Sequence, residues 1–362
     1  MPTIAILGAG NGGFAAAAHL ATEGHRPQLY NRSAGTIAAI KKRGGIRHSG
    51  VLGEGTASVP VITTDLSRAL DGSDLLMICL PATALDGIAG TLADHLGGSR
   101  PLLVNPGATG GALAVRETLR EAGCASVPPI AETNTLTYIA RKQSDEHVRV
   151  SSLVDNVRCA AVPPATPEEA IEPFLELYPT LTPVSSPLHT ALSNVNAVLH
   201  PPGIVLSAAW IEHTGGDFRF YFDAGTPAVA SVMEDLEEER LAIADAVGLA
   251  VDPFPEMFAD IGSTSEAAAE SGSFLRMLRE SEPNKSIMAP DSVDHRYFNE
   301  DIPFGLVPMA ALGRWAGVET PVIDSLVTIA SSINGTEYRE RGWTLADLGI
   351  PADAEPGGDA LS

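Results

Sequence analysis

The feature that most constrains the fold is a glycine-rich run that directly follows a short apolar stretch near the start of the chain. Ile4, Ile6 and Leu7 are typical of a buried strand, and this strand breaks at residues 8–13, of sequence GAGNGG. Residues 14–21 are rich in alanine, the best helix former. The order is therefore strand, glycine turn and helix.

Gly8, Gly10 and Gly13 fill the G-x-G-x-x-G spacing of this turn. Gly8 permits a tight turn, Gly10 lets a pyrophosphate approach bare backbone, and Gly13 lets the helix pack closely on the strand. The helix N-terminus then faces the phosphate charge. In this context the motif predicts dinucleotide binding, the alternative being a glycine-rich turn of no special function. The predicted cofactor contacts in the turn are Gly8, Gly10, Asn11, Gly12 and Gly13.

The end of the second predicted strand, residues 26–30, bears on the choice of cofactor. NAD-binding sites carry an acidic residue here, about 20 residues past the glycines, for the ribose hydroxyls. This chain has Asn31 and Arg32 instead. Because an arginine can neutralise a 2′-phosphate and stack on adenine, the sequence favours NADP(H) while allowing NAD(H). The alternative is that Arg32 is a solvated loop residue.

The pattern from residue 37 to residue 184 alternates between helical stretches and apolar, β-rich runs, which predicts an α/β sheet. Two loops follow predicted strands, at the carboxyl ends where open α/β sheets bind their ligands. We therefore expect Leu80, Pro81, Asn105 and Gly107 near the ribose and nicotinamide. Ordinary strand-to-helix turns are the alternative for each of these residues.

Beyond residue 188 the pattern becomes mostly helical, with long amphipathic candidates such as residues 228–247, 306–316 and 321–333. We expect a boundary near residues 183–188. The predicted domains are a Rossmann-type dinucleotide-binding domain over residues 1–185 and a mostly α-helical substrate and catalytic domain over residues 186–362.

Composition excludes several classes of partner. The net charge of −22 argues against nucleic acid or an anionic membrane surface, and no apolar run is long enough to cross a bilayer. The three scattered cysteines have neither metal-ligand nor disulfide spacing, so we expect no bound metal and a cytoplasmic location. The sequence allows a homodimer and does not determine the oligomeric state. Anionic ligands would require local Arg or Lys side chains in this acidic chain.

Two stretches of the helical half carry polar residues that suit chemistry. On a helix, Ser193, Asn196 and His200 would share one face. Pro201 disfavours the α conformation at His200, so His200 should lie at or near the helix end, where carbonyls favour an imidazolium. A structural histidine at a helix end is the alternative.

The second stretch, residues 294–306, packs charged and aromatic residues together with Pro303 and Gly305. Arg296 could bind a carboxylate in bidentate fashion, and Glu300 or Asp301 could orient a histidine. The alternative is a solvated loop.

Four stretches together resemble the opine dehydrogenases, the N-(1-carboxyalkyl)amino acid dehydrogenases related to octopine and nopaline dehydrogenases. They are residues 8–13, residues 105–111 (NPGATGG), residues 194–201 (NVNAVLHP), and residues 296–301 (RYFNED) with 305–308 (GLVP). The resemblance spans residues 4 to 349 and implies a Rossmann domain, a helical domain and an active site in the cleft between them. It also implies that His200 is catalytic, that Asp301 is its partner and that Arg296 binds a carboxylate of the keto acid. NAD-using members carry an acid where this chain has Asn31 and Arg32.

The resemblance implies a reductive condensation, in which the amine of an amino acid and an α-keto acid form an imine that NAD(P)H reduces. His200 would act as general acid/base, Asp301 would orient it, and Arg296 and Arg141 would hold carboxylates; Asn196 is a further predicted substrate contact. The alternatives are a two-domain NADP-dependent reductase of 2-keto acids or 2-hydroxy acids, an amine or imine reductase, and a non-catalytic NADP(H) sensor.

Overall fold

The computed structural model describes residues 1–97 and 100–357. These residues divide into two compact units, each described below by itself. The first unit comprises Met1–Gly107 and Gly111–Pro187, and the second comprises Ala108–Gly110 and the chain from Leu188 onward. The first unit is α/β and the second is mostly α-helical, which is the predicted fold class.

The first unit contains an eight-stranded sheet in the order β12-β11-β8-β7-β6-β1-β2-β5, parallel throughout except for the antiparallel pair β8 and β11. Its strands are β1 (Thr3–Leu7), β2 (Arg26–Tyr30), β5 (Val61–Thr63), β6 (Leu75–Ile78), β7 (Leu102–Val104), β8 (Ile130–Thr133), β11 (Val157–Val162) and β12 (Leu181–Val184).

β1 lies inside this sheet, where Ile6 pairs with Leu29 of β2 on one side and with Met77 of β6 on the other. All three side chains are fully buried. The strand order reverses at β1, because the chain first adds β2 on one side and later adds β6 on the other. The glycine turn therefore leaves the sheet at the topological switch point, where doubly wound folds bind ligands.

A second sheet of four strands, which the sequence did not predict as a unit, belongs to the same unit. Its order is β4-β3-β10-β9, with strands β3 (Gly45–Gly50), β4 (Gly55–Ser58), β9 (Tyr138–Ser144) and β10 (His147–Leu153). β4 belongs to this sheet, whereas β5, the next strand along the chain, forms the edge of the larger one.

The helix that follows the glycine turn, α1 (Asn11–Thr22), packs between the two sheets. It contacts β1 and β2 of the larger sheet and β3, β4 and β9 of the smaller one. The four alanines at 15–18 are fully buried, as expected for a helix with no solvent-facing side. Small side chains are what allow sheets to approach this helix from both sides.

The remaining helices of the first unit lie between its strands. They are α2 (Ala34–Arg43), α3 (Leu66–Leu70), a 3₁₀ turn at Ala82–Ala84, α4 (Leu85–Leu92), α5 (Gly111–Glu121), α6 (Pro167–Ala170) and α7 (Glu172–Leu175). Thr166 precedes α6, and its hydroxyl donates to the Pro163 carbonyl at 3.1 Å and does not cap the helix.

The second unit is built from helices around an apolar core. They are α8 (Pro187–Leu192), which begins at the unit boundary, then α9 (Val195–Leu206), α10 (Ala208–Thr214), α11 (Phe220–Asp223), α12 (Pro227–Ala246), α13 (Phe254–Asp260), α14 (Glu266–Glu270), α15 (Phe274–Glu280), α16 (Arg296–Asn299), a π-helical segment (Ile302–Leu306), α17 (Val307–Ala316), α18 (Pro321–Asn334) and α19 (Tyr338–Arg341). None of the helices in the described residues is long and apolar enough to span a membrane.

A buried ion pair holds part of this helical core together. Arg240 of α12 is fully buried and donates two hydrogen bonds of 2.7 Å to the Glu237 carboxylate one turn earlier. Its guanidinium also donates to the carbonyls of Leu192 and Asp252, and Glu237 accepts from the Phe254 amide at 2.7 Å. Together these bonds connect α12 to the end of α8 and to the start of α13.

Candidate functional site

The glycine turn of the first unit has the geometry of an anion cradle. Gly8 has φ of +117°, and a Cβ on Gly13 would overlap the carbonyl oxygen of Gly8, so α1 sits directly on the turn. A Cβ on Gly10 would meet no protein atom within 4 Å. Gly10 precedes α1 without a side-chain cap, which leaves the first-turn amides at Asn11 and Gly12 without intrahelical partners. These residues fit the pyrophosphate of a dinucleotide.

Asn11 and Gly12 also contact the smaller sheet and the loop that leads into β9. The Asn11 Oδ1 atom accepts a 2.9 Å hydrogen bond from the Lys142 amide of β9. A Cβ on Gly12 would meet the Leu136 side chain at 2.8 Å. Both residues thus have a structural reason for their identity besides the predicted cofactor contact.

The end of β2 contributes one residue to the turn and exposes another. Asn31 Oδ1 accepts a 3.2 Å hydrogen bond from the Ala9 amide, and its Nδ2 donates to the Ser33 carbonyl at 3.1 Å. Asn31 therefore braces the glycine turn. Arg32 is exposed and makes no ion pair with any described residue. Its guanidinium remains available for a ligand phosphate, as the NADP(H) prediction requires.

The loops after β6 and β7 place the remaining predicted cofactor residues differently. Leu80 is partly buried and Pro81 is exposed. The Asn105 side chain is fully buried and occupied, since its amide donates to Thr137 Oγ1 at 2.9 Å and accepts from the Thr137 amide at 3.1 Å. It stabilises the loop, and only its backbone is left for a ligand. A side chain on Gly107 would overlap the Glu132 carboxylate.

The chemically distinctive group of the second unit is a buried histidine–aspartate pair. His200 Nδ1 lies 2.8 Å from Asp301 Oδ2, and the two side chains are 8% and 5% exposed. His200 stands on α9, and Asp301 directly precedes the π-helical segment Ile302–Leu306 that leads into α17. In this wider turn the Leu306 amide donates to the Asp301 carbonyl at 3.1 Å, and such turns are frequent at functional sites.

The predicted position of His200 at a helix end is wrong. α9 continues through Pro201 and Pro202 to Leu206, so His200 lies in mid-helix. Each proline removes one N–H donor and its ring crowds the carbonyl four residues earlier, so those carbonyls lack their usual helical partners. His200 is therefore not placed against the helix-end carbonyls that would favour an imidazolium. A carboxylate, that of Asp301, takes their place.

The predicted stripe of Ser193, Asn196 and His200 is also only partly correct. Ser193 lies in the turn before α9, and its hydroxyl lies 3.4 Å from His189 Nδ1. Asn194 is the N-cap of α9, where its Oδ1 accepts from the Asn196 amide at 3.2 Å. Asn196 and His200 share α9, and the side-chain amide of the partly exposed Asn196 makes no hydrogen bond within the described residues.

Two tyrosines that sequence reasoning missed complete the surroundings of His200. The Tyr221 hydroxyl lies 3.0 Å from His200 Nε2 and 2.9 Å from the Tyr297 hydroxyl. The Tyr297 ring stacks on the imidazole with centroids 3.9 Å apart. Burial, reinforced by Tyr297 and Asp301, raises the pKa of Tyr221 well above its ordinary value. The only hint in the sequence was the aromatic character of residues 218–222 and 295–298.

The predicted carboxylate ligands are exposed arginines. The Arg296 side chain is 56% exposed and pairs with Glu300 at 3.0 Å, which assigns Glu300 to Arg296 and Asp301 to His200. Burial would lower the pKa of Arg296, but the charges of Glu300 and Asp301 outweigh it and leave this pKa raised. Arg141 is exposed on β9 of the first unit, and its role as a second carboxylate ligand stays a prediction.

His295, next to Arg296, adds a second imidazole to this cluster. Its ring meets the Tyr297 ring edge-on with centroids 4.5 Å apart. Burial, together with the positive charge of Arg296, lowers the pKa of His295 despite the opposing Asp301. No group of three or more His, Cys, Asp or Glu side chains among the described residues could hold a metal ion.

Comparisons with known proteins match a different family model to each of two parts of the chain. Residues 183–334 match the family model "NAD/NADP octopine/nopaline dehydrogenase, alpha-helical domain", and residues 4–119 match "Ketopantoate reductase PanE/ApbA". An opine dehydrogenase of Arthrobacter sp. (strain 1C) is 36% identical over 96% of this chain and 95% of its own length. Protein ocs of Agrobacterium tumefaciens (strain Ach5) is 27% identical over 97% and 96%.

A solved structure of octopine dehydrogenase with NADH and L-arginine has the same fold as this chain. It has a TM-score of 0.78 at 17% identity and covers 100% of this chain and 98% of its own. The Arthrobacter relative shows the family by sequence over nearly the whole length. The chain belongs to the opine dehydrogenase family of NAD(P)-dependent oxidoreductases.

Proposed function

We propose that this protein is an NAD(P)H-dependent opine dehydrogenase, which condenses the amine of an amino acid with an α-keto acid and reduces the resulting imine to a secondary amine. The observation that carries the proposal is the buried His200–Asp301 pair, which stands within the part of the chain that matches the octopine/nopaline dehydrogenase model. Bound NAD(P)H supplies the hydride for the reduction. The turn at Gly8–Gly13 and the N-terminus of α1 hold its pyrophosphate.

His200 acts as the general acid/base of the condensation. When its Nδ1 carries a proton that it donates to Asp301, Nε2 is the acceptor of the neutral ring. The Asp301 carboxylate therefore selects one tautomer and stabilises the imidazolium that forms when Nε2 takes up a proton. That proton is later given to the carbinolamine oxygen, which leaves as water.

Arg296 binds a substrate carboxylate. Its side chain is more than half exposed, and the pair with Glu300 orients the guanidinium while further donors remain available. A second acid group is bound by Arg141, and Asn196 contributes its partly exposed amide. These arginines supply the local positive charge that two acidic substrates need in a chain of net charge −22.

NADPH is the preferred cofactor, with NADH accepted more weakly. The support is Arg32, exposed and without an ion-pair partner among the described residues at the end of β2, where it can neutralise a 2′-phosphate. The free cysteines Cys79, Cys124 and Cys159 fit a reducing compartment, and we place the protein in the cytoplasm.

The test is a substrate screen that follows NADPH oxidation with pyruvate or 2-oxoglutarate and an amino acid mixture, with the product identified by its mass. A product whose mass is that of a secondary amine joining the amino acid to the keto acid supports the proposal. Oxidation with a keto acid alone, and none that depends on the amine, would instead identify a 2-keto acid reductase. That second candidate is favoured only by the ketopantoate reductase match over residues 4–119, the cofactor-binding part.

His200→Ala tests the assignment of the acid/base. This variant should lower kcat by about 10²–10⁴-fold while leaving NADPH binding intact, because the cofactor residues lie in the first unit. Unchanged turnover would remove His200 from the mechanism.

A further inference from the structure

Both ring nitrogens of His200 are occupied by protein groups. Nδ1 faces Asp301 at 2.8 Å, and Nε2 faces the Tyr221 hydroxyl at 3.0 Å. The ring face is covered by Tyr297, stacked at 3.9 Å. A substrate therefore cannot hydrogen-bond to His200 in this arrangement. A proton that His200 gives or receives must pass through the group that already holds Nε2.

That group is the first member of a hydrogen-bonded chain. The Tyr221 hydroxyl, in a side chain that is only 6% exposed, continues to the Tyr297 hydroxyl at 2.9 Å. Tyr297 is partly exposed, whereas His200, Asp301 and Tyr221 are all buried. The series Asp301, His200, Tyr221, Tyr297 thus runs from a buried charge to the more accessible end. We propose that Tyr221 and Tyr297 form a proton relay through which His200 exchanges its proton with the substrate.

The proton balance of the relay rests on the proposed function. In the forward step the His200 Nε2 proton moves to the Tyr221 oxygen, the Tyr221 proton moves to the Tyr297 oxygen, and the Tyr297 proton moves to the carbinolamine hydroxyl. The carbinolamine C–O bond breaks, water leaves and the nitrogen lone pair forms the iminium. His200 ends neutral, and each tyrosine ends with one proton. The overall reaction consumes one proton, which recharges His200.

Hydroxyl groups suit this position because each can donate and accept. With a neutral His200, Tyr221 donates to Nε2 and accepts from Tyr297. With an imidazolium, Nε2 donates to Tyr221, and Tyr221 donates to Tyr297. No buried polar group loses its partner in either state, which avoids the desolvation cost of an unpaired group. The raised pKa of Tyr221 keeps it a neutral phenol, as a relay requires.

The charged and titratable groups around the relay are Asp301, Arg296 and His295. Asp301 is hydrogen-bonded to His200 Nδ1, the ring nitrogen opposite the relay. Arg296 pairs with Glu300, and His295 packs edge-on against the Tyr297 ring. Among the described residues, the hydrogen bonds of the Tyr221 hydroxyl go to His200 and Tyr297 alone.

The experiment is a double-mutant cycle on His200 and Tyr221 in the full-length enzyme, with kcat measured by formation of the secondary amine. Tyr221→Phe keeps the ring and removes the hydroxyl, and it should lower kcat by about 10²-fold or more, the scale of one acid/base step. Since the two residues act as one unit, the double variant His200→Ala/Tyr221→Phe should be no slower than His200→Ala. A purely structural role of Tyr221 predicts instead that the two losses multiply.

A matched control is present in the first unit. There His19 Nδ1 lies 3.1 Å from the Tyr138 hydroxyl, which donates to the Tyr178 hydroxyl at 2.8 Å, so the same His–Tyr–Tyr series exists away from the chemistry. Tyr138→Phe removes an equally buried hydroxyl and should change kcat by less than about threefold, with a comparable loss of thermal stability.

Three results would overturn the relay. A Tyr221→Phe enzyme with kcat within about threefold of wild type, or losses that multiply in the cycle, would refute it while the wild-type product still supports the proposed function. A wild-type enzyme that forms no secondary amine would refute both. If Tyr221→Phe does not unfold cooperatively, Tyr297→Phe tests the second hydroxyl by the same two criteria.

Discussion

Replacing Asp301 by asparagine isolates the contribution of one buried charge. The substitution keeps the size of the side chain and an oxygen that can accept from His200 Nδ1 at 2.8 Å, but it removes the charge that stabilises the imidazolium. A charge-assisted hydrogen bond contributes about 1.5–3 kcal/mol, and unit charges about 4 Å apart at an effective dielectric of 20 interact by about 4 kcal/mol.

A loss of about 2–4 kcal/mol in the charged state corresponds to a fall in kcat of about 30- to 1,000-fold. The Kd for NADPH should stay within about twofold, because the proposed cofactor residues lie in the other unit. The assay is the initial rate of NADPH oxidation with saturating substrates, alongside a fluorescence titration of NADPH.

The matched control is Asp294→Asn, which removes the same charge from an exposed side chain that accepts from Asn299 Nδ2 at 2.7 Å. It should change kcat by no more than about twofold. If Asp301→Asn keeps kcat within threefold of wild type, the buried carboxylate does not stabilise the imidazolium in the rate-limiting step, and this reasoning is wrong.

Three further predictions address the cofactor site and the helical core. Gly13→Ala should lower Tm and weaken the binding of NADPH, because the new Cβ overlaps the backbone of the turn. Gly10→Ala should leave Tm unchanged and weaken only the binding of NADPH. Calorimetry and NADPH titration of both variants test this difference. Arg32→Ala should weaken the binding of NADPH by about tenfold and that of NADH by little, because only NADPH carries the 2′-phosphate. Equal losses of affinity for the two cofactors would contradict the NADPH preference. Arg240→Met should destabilise by about 3–5 kcal/mol because it leaves the Glu237 carboxylate buried without its partner, which lowers Tm by about 6–20 °C. The double variant Arg240→Met/Glu237→Leu should regain most of that Tm, and a Tm as low as that of the single variant would count against the argument.

The parts of the fold that repeat a local pattern could be predicted from the sequence. The strand, turn and helix at Thr3–Thr22 follow from apolar residues, glycines and alanines that are neighbours in the chain. The same is true of α12, expected over residues 228–247 and found at Pro227–Ala246. In contrast, β3 (Gly45–Gly50) has no apolar alternation in its sequence GIRHSG and exists because β4 and β10 pair with it on either side.

The candidate site could likewise be predicted only in part from the sequence. His200 and Asp301 were identifiable because a resemblance pointed to each, yet their local setting was not. The mid-helix position of His200 depends on packing that holds Pro201 and Pro202 in α9, and a local rule about residues before proline could not anticipate this. Tyr221 had no motif of its own. Only the folding of α11 near α9 brings its hydroxyl to His200 Nε2.

The burial of α1 between two sheets has a consequence for how cofactor use can change. Gly12 to Leu20 of this helix are buried, so almost any substitution there is tested first by folding and only then by cofactor binding. Arg32, by contrast, is an exposed side chain. Exchange between NADPH and NADH should therefore evolve, or be engineered, at the end of β2 with almost no penalty in stability, while the phosphate-binding helix is inherited unchanged.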